Sequence, residues 1–157
     1  MLEPMPELKP VLVSACLLGK RCRHDARDNE DAVLQRALAL RGERAVPYCP
    51  EEAGGLGTPR PASWIETRDA GAVLDGDERM VSEHGRDVTA EFLAGARGAL
   101  ELCRAEGIYR AYLKERSPSC GVCQTHVAGA VTDGSGITAE LLRRSGIAVE
   151  GVEGRRR

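Results

Sequence analysis

Six cysteines, Cys16, Cys22, Cys49, Cys103, Cys120 and Cys123, are the side chains of this 157-residue chain most able to do chemistry. A thiolate is a nucleophile and a soft metal ligand, so they point to metal binding, covalent catalysis or redox chemistry. Cys120 and Cys123 form a C-x-x-C, a spacing shared by redox pairs, half zinc sites and iron–sulfur sites. Cys16 and Cys22 stand further apart than the close pairs of structural zinc sites, and Cys49 has no near partner. Cys103 falls on an apolar helical stripe and reads as a small core hydrophobe. Cys22 lies in Lys20-Arg21-Cys22-Arg23-His24, a basic loop where a thiol either supports a site or sits on the surface.

Other reactive groups lie close to these thiols in sequence. Cys49-Pro50-Glu51 sets a carboxylate two residues from a candidate ligand, where Glu51 can act as general base or acid, with Glu52 as its competitor. In the stretch 114–121, Ser117 and Ser119 can hydrogen-bond a substrate carbonyl or a cluster sulfide and Lys114 can hold an anion. The same residues equally form an ordinary Ser-Pro turn. Arg60 follows a Gly-rich stretch that lacks the phosphate-loop pattern, and is a candidate contact for an anionic ligand. His24, His84 and His126 show no metal-ligand spacing and carry no assigned role.

The elements that must position these groups alternate along the chain. Residues 10–15 are a short apolar, β-branched run and read as a buried strand. Residues 28–40 read as a helix capped by Asp28, and 45–48 as a second strand. The stretch 49–86 is rich in Gly and Pro and reads as a functional loop. Residues 87–106 give the clearest helix, 108–113 a third strand, 138–145 a short helix capped by Thr138, and 147–149 a last strand. This order predicts a single-domain α/β sandwich over residues 10–150 with a mostly parallel sheet and loose termini at 1–9 and 151–157. Ligands of such sheets bind beyond the carboxyl ends of strands. Cys16, Cys49 and Cys120 each follow a different predicted strand, which places three thiols at that end. Three thiolates from separate loops suit a metal cluster with one position open to substrate. A non-catalytic zinc-binding or thiol redox-sensing protein using Cys16, Cys22, Cys120 and Cys123 is the alternative.

Composition narrows the partners. A net charge of −2 gives no electrostatic case for bulk nucleic acid, and one Trp, three Tyr and one Phe are few for base stacking. No apolar run is long enough to span a membrane. The acidic, Pro-containing start lacks a signal-peptide core, so a cytoplasmic location with reduced thiols is expected. Nothing in the sequence specifies an oligomeric state.

Taken together, several segments resemble the thiouracil desulfidase (TudS-like) family: Val-Ser-Ala-Cys-Leu-Leu-Gly at 13–19, Cys-Arg-His-Asp at 22–25, Cys-Pro-Glu-Glu-Ala-Gly-Gly-Leu-Gly-Thr-Pro-Arg-Pro at 49–61, Asp-Val-Thr at 87–89 and Leu-Lys-Glu-Arg-Ser-Pro-Ser-Cys-Gly at 113–121. The resemblance spans roughly residues 10–150. It implies an enzyme with a 4Fe–4S cluster held by Cys16, Cys49 and Cys120, leaving the fourth iron open. It further implies Glu51 as the acid/base residue and Ser117 as its partner; outside what the resemblance implies, Cys22 and the extra thiol Cys123 stand as rival ligands. The implied substrates are thiolated pyrimidines (2- or 4-thiouracil, 4-thiouridine or its nucleotide), whose C=S becomes C=O with release of sulfide.

Overall fold

A computed structural model describes residues 7–157 and shows an α/β fold with two four-stranded sheets. The first sheet has the order β2-β1-β5-β8, formed by β1 (Lys9–Ser14), β2 (Glu43–Tyr48), β5 (Arg110–Lys114) and β8 (Ala148–Val152). All three of its strand pairs are parallel. β1 is apolar at consecutive positions because both of its faces are covered. Val11 and Val13 pack with Leu34 and Leu38 of α1 (Ala32–Leu40), while Leu12 shares a core with Ala99 and Cys103 of α4 (Thr89–Glu106) and Leu142 of α5 (Ile137–Arg144).

The stretch 49–86, expected as a loop, is largely built. It holds α2 (Pro50–Ala53), β3 (Ser63–Ile65), α3 (Ala70–Leu74) and β4 (Met80–Ser82). β3 and β4 join the hairpin β6 (Gln124–Val127) and β7 (Ala130–Asp133) in a second sheet of order β4-β3-β6-β7. Strands of three or four residues are too short for a period-2 pattern to declare itself, so this sheet is invisible to periodicity. Its core of Ile65 and Met80 packs on Phe92 and Ala96, so α4 serves the second sheet with its first half and the first sheet with its second.

Helix starts are shifted from expectation. α1 is capped by buried Asp31, whose side chain accepts from the Leu34 amide, whereas Asp28 accepts from the amide of Glu30 in the preceding loop. α5 begins after Gly136, with Thr138 inside the helix. Of the loose N-terminus expected over 1–9, residues 1–6 lie outside those described, and Lys9 already pairs with Glu43 in β1. The stretch 151–157 is not a free tail either. β8 runs to Val152, and beyond it Arg156 Nε reaches the fully buried carboxylate of Asp31 at 2.8 Å. No helix among the described residues is long and apolar enough to cross a membrane.

Candidate functional site

Because the first sheet is parallel, the carboxyl ends of its strands open on one side, and the chain leaving each of them feeds a single cavity of about 570 Å³. From β1 the chain turns into a short 3-10 segment, Ala15–Leu18, which carries Cys16. From β2 it passes to Cys49, the residue capping α2, whose first turn holds Glu51 and Glu52. From β5 it enters the turn of Ser117 and Cys120. Cys16, Cys49, Cys120, Glu51, Ser117, Lys114 and Arg60 all line the cavity. Cys16 and Cys120 are buried and Cys49 is half-buried.

Cys22 joins them. It is buried, lines the same cavity, and brings its Sγ, the Cys49 Sγ and a Glu52 carboxylate oxygen within 4.8 Å of one another. Its thiol is shared with the sulfurs of Cys16 and Cys49, which holds the Cys22 proton well above the ordinary thiol range. The same hydrogen bonds pull the other two down: Cys16 falls below its usual value and Cys49 reaches about 7. Complete burial pushes Cys120 up. The cavity thus gathers four soft sulfur donors, Cys16, Cys22, Cys49 and Cys120, at one end of the parallel sheet.

Cys123 points away. It is exposed and outside the cavity lining, while its backbone amide donates to Glu115. The C-x-x-C therefore does not close into a pair, and the zinc set of Cys16, Cys22, Cys120 and Cys123 is not assembled. Ser119 is also outside the lining: it is buried, and its carbonyl accepts from the amides of Thr138 and Ala139 at the start of α5. Arg60 is committed internally rather than free for an anion. Its Nε meets Glu51 Oε1 at 3.2 Å, Nη2 donates to the Cys22 carbonyl at 2.7 Å, and Nη1 donates to Gly57 O and Thr58 Oγ1. With only 5% of its side chain exposed, it ties the Cys22 loop, the Gly-rich loop and Glu51 together. Ser117 Oγ accepts from the amides of Ser119 and Cys120, so it shapes the Cys120 turn while facing the cavity. Lys114 donates to Glu115 O at 2.9 Å, and burial lowers its pKa.

Several residues of the site carry no sequence signal that separates them from their neighbours. Buried Glu115 accepts from the amides of Val122, Cys123 and Gln124 and so anchors the loop that follows Cys120. Buried Ser14 accepts from the Lys114 amide at 3.0 Å and lines the cavity beside Cys16 and Cys120. Asn29 Nδ2 donates to Cys16 Sγ at 3.4 Å. His24, His126 and Trp64 of β3 also line the cavity. Trp64 lies far in sequence from every cysteine, and only the closed fold brings it in, whereas His24 and His126 sit within a few residues of Cys22 and Cys123 and face the cavity with no pattern of their own to announce it.

Comparison with known proteins agrees with this architecture. The family model of 2-thiouracil desulfurase matches residues 11–153. The uncharacterised protein YbbK of Bacillus subtilis (strain 168) is 34% identical over 142 residues, covering 88% of this chain and 93% of its own. Among solved structures, the [4Fe-4S]-dependent thiouracil desulfidase TudS superposes with a TM-score of 0.77 at 44% identity, covering 91% of this chain and 90% of that one. The chain belongs to the 2-thiouracil desulfurase family and is an enzyme of that family, a thiouracil desulfidase.

Proposed function

We propose that the cavity holds a 4Fe–4S cluster on Cys16, Cys49 and Cys120, with one iron left open, and that a thiolated pyrimidine enters there to exchange its sulfur for oxygen. The observation that carries this reading is the meeting of those three thiols with Glu51 in one cavity beyond three parallel strands. The donor set fits the group: the sulfurs are soft, sheltered from solvent, and come from three separate loops. When bound, such a group supplies a soft Lewis-acidic iron with affinity for thiocarbonyl sulfur.

The chain's own residues supply the rest. Glu51, oriented by Arg60, takes the proton of the water that adds to the ring carbon and returns it to the departing sulfide. C=S and H₂O become C=O and H₂S, with no net electron transfer. Ser117 faces the same space and can donate its hydroxyl hydrogen to the ring, and Trp64 offers a flat face for it. Cys22 supports the sulfurs of Cys16 and Cys49. The six free thiols suit a reducing compartment, in keeping with a cytosolic enzyme acting on a small molecule.

Anaerobic purification tests this. The expected protein is brown, with about four irons and matching labile sulfide per chain, and Cys16→Ala, Cys49→Ala or Cys120→Ala loses the colour. Glu51→Gln is expected to keep the cluster and to lose about 10²–10⁴-fold in sulfide release from 4-thiouracil. A colourless, zinc-loaded protein indifferent to Cys49→Ala defeats the cluster assignment, and full turnover by Glu51→Gln defeats that of Glu51.

A further inference from the structure

Asn29 is buried in the loop before α1, and every polar atom of its side chain is engaged. Oδ1 accepts from Arg23 Nη1 and from Arg155 Nε, each at 3.2 Å. Two guanidinium donors can face only the oxygen of the amide, which turns its NH₂ group toward Cys16 Sγ, 3.4 Å away. The backbone of the same residue repeats the arrangement. Its amide donates to Cys16 O at 2.9 Å, and its carbonyl accepts from the Arg155 amide at 3.1 Å. One residue thus joins the Cys16 turn to the strap that follows β8.

That strap is firmly held. Arg156 Nε lies 2.8 Å from Asp31 Oδ2, whose carboxylate is fully buried, and Arg156 O accepts from the Ala32 amide at 2.8 Å. Gly154 has φ +84°, and an added Cβ there would press on the Asn29 carbonyl, 3.0 Å away. Glu153, at the start of the strap, pairs with Arg116. Residues 154–156 lie just beyond the stretch 11–153 matched by the family model.

We propose that Asn29 is a positioning residue for the Cys16 sulfur, and that the strap residue Arg155, together with Arg23, sets the strength of its N–H···S bond. The proposal rests on the reading above that Cys16 is a cluster ligand. A donor facing a ligand sulfur draws charge from it and stabilises the more reduced state of the metal group it holds, which raises the reduction potential. Guanidinium groups on Oδ1 polarise the amide and strengthen that donation.

The test compares midpoint potential and rate of cluster loss in air for the anaerobically reconstituted protein and its variants. Asn29→Asp preserves shape and both arginine contacts but sets an acceptor against the sulfur. It is expected to shift the potential negative and to hasten bleaching. Arg155→Met, at an exposed position, is expected to shift the potential in the same direction by less. A merely structural role would lower the melting temperature of these variants without moving the potential. An unchanged or more positive potential in Asn29→Asp overturns the proposal. If Asn29→Asp takes up no cluster, Arg155→Met decides, and a wild-type potential there overturns it. Cys16→Ala keeps the two failures apart. Retention of wild-type iron in that variant refutes the ligand reading, whereas loss of iron in Cys16→Ala beside an unmoved Asn29→Asp refutes the role of Asn29 alone.

Discussion

Cys103 and Cys49 are free thiols whose surroundings move their protons in opposite directions. Cys103 lies on the core face of α4 with Leu12, Ala99 and Ile108. Burial alone pushes it up to about 11 from an ordinary 9.0. Cys49 is drawn down to about 7, chiefly by the Cys22 thiol. The shift at Cys103 has a consequence for stability. Below pH 9 the thiol is protonated in folded and unfolded chains alike. Between 9 and about 11 the unfolded chain releases the proton while the folded one retains it, so stability falls over that interval by about 2–3 kcal/mol. Urea unfolding at pH 8, 9.5 and 10.5 should show a loss in the wild type that is smaller in Cys103→Ala, and parallel losses in the two proteins would count against it. Where a thiol lies, in the cavity or in the core, is legible from sequence where it depends on strand ends and helical spacing, as at Cys16, Cys49, Cys103 and Cys120. It is not legible at Cys22 or Cys123. Which way a loop thiol faces depends on partners far along the chain, such as Arg60 holding the Cys22 carbonyl and Glu115 holding the amides of residues 122–124.

At the scale of elements, the site depends on how closely α2 lies against α4. α2 is a single turn, too short to hold itself together, yet it carries Glu51 and begins at Cys49. Two glycines let the backbones touch. A Cβ at Gly54 would overlap the Glu91 carbonyl, and one at Gly95 would overlap the carbonyl of Pro50. Tyr48 Oη adds a hydrogen bond to Gly95 O at 2.7 Å, fixing the end of β2 to the same turn of α4. Neither obstruction is a flexible side-chain tip, so the backbones themselves must part to admit a methyl group. Gly95→Ala is a helix-favouring change by propensity alone and would stabilise an isolated α4. In this fold it is expected to destabilise by about 1–3 kcal/mol in urea titration, and to reduce the iron retained after anaerobic reconstitution because Cys49 and Glu51 move with α2. A variant as stable as wild type and fully loaded would refute the close packing. Propensity could not have disclosed this. The strong pattern of α4 made the helix itself evident, but a glycine on such a helix gives no sign of whether it faces solvent or another backbone.

For the whole molecule, the question is whether two sheets make one folding unit. α4 answers it, since at 18 residues it extends about 27 Å and buries Phe92 and Ala96 against the second sheet and Ala99 and Cys103 against the first. α5 does the same on a smaller scale, with Ile137 in one core and Leu142 in the other. The cavity itself draws walls from both sheets: Ser14, Tyr48 and Lys114 end strands of the first, while Trp64 and His126 belong to the second. A sheet that unfolded separately would open the site, so the arrangement calls for a single cooperative transition. Trp64, the sole tryptophan, reports on the second sheet, whereas far-UV circular dichroism reports on the entire chain. Their urea transitions should coincide. Phe92→Ala, which empties the second core at a 1%-exposed position, should lower both midpoints together and cost about 3–5 kcal/mol. If Trp64 instead changes first, leaving most helical signal in place, then the second sheet is a separate unit docked on the parallel one, and α4 is a tether between them rather than their common core.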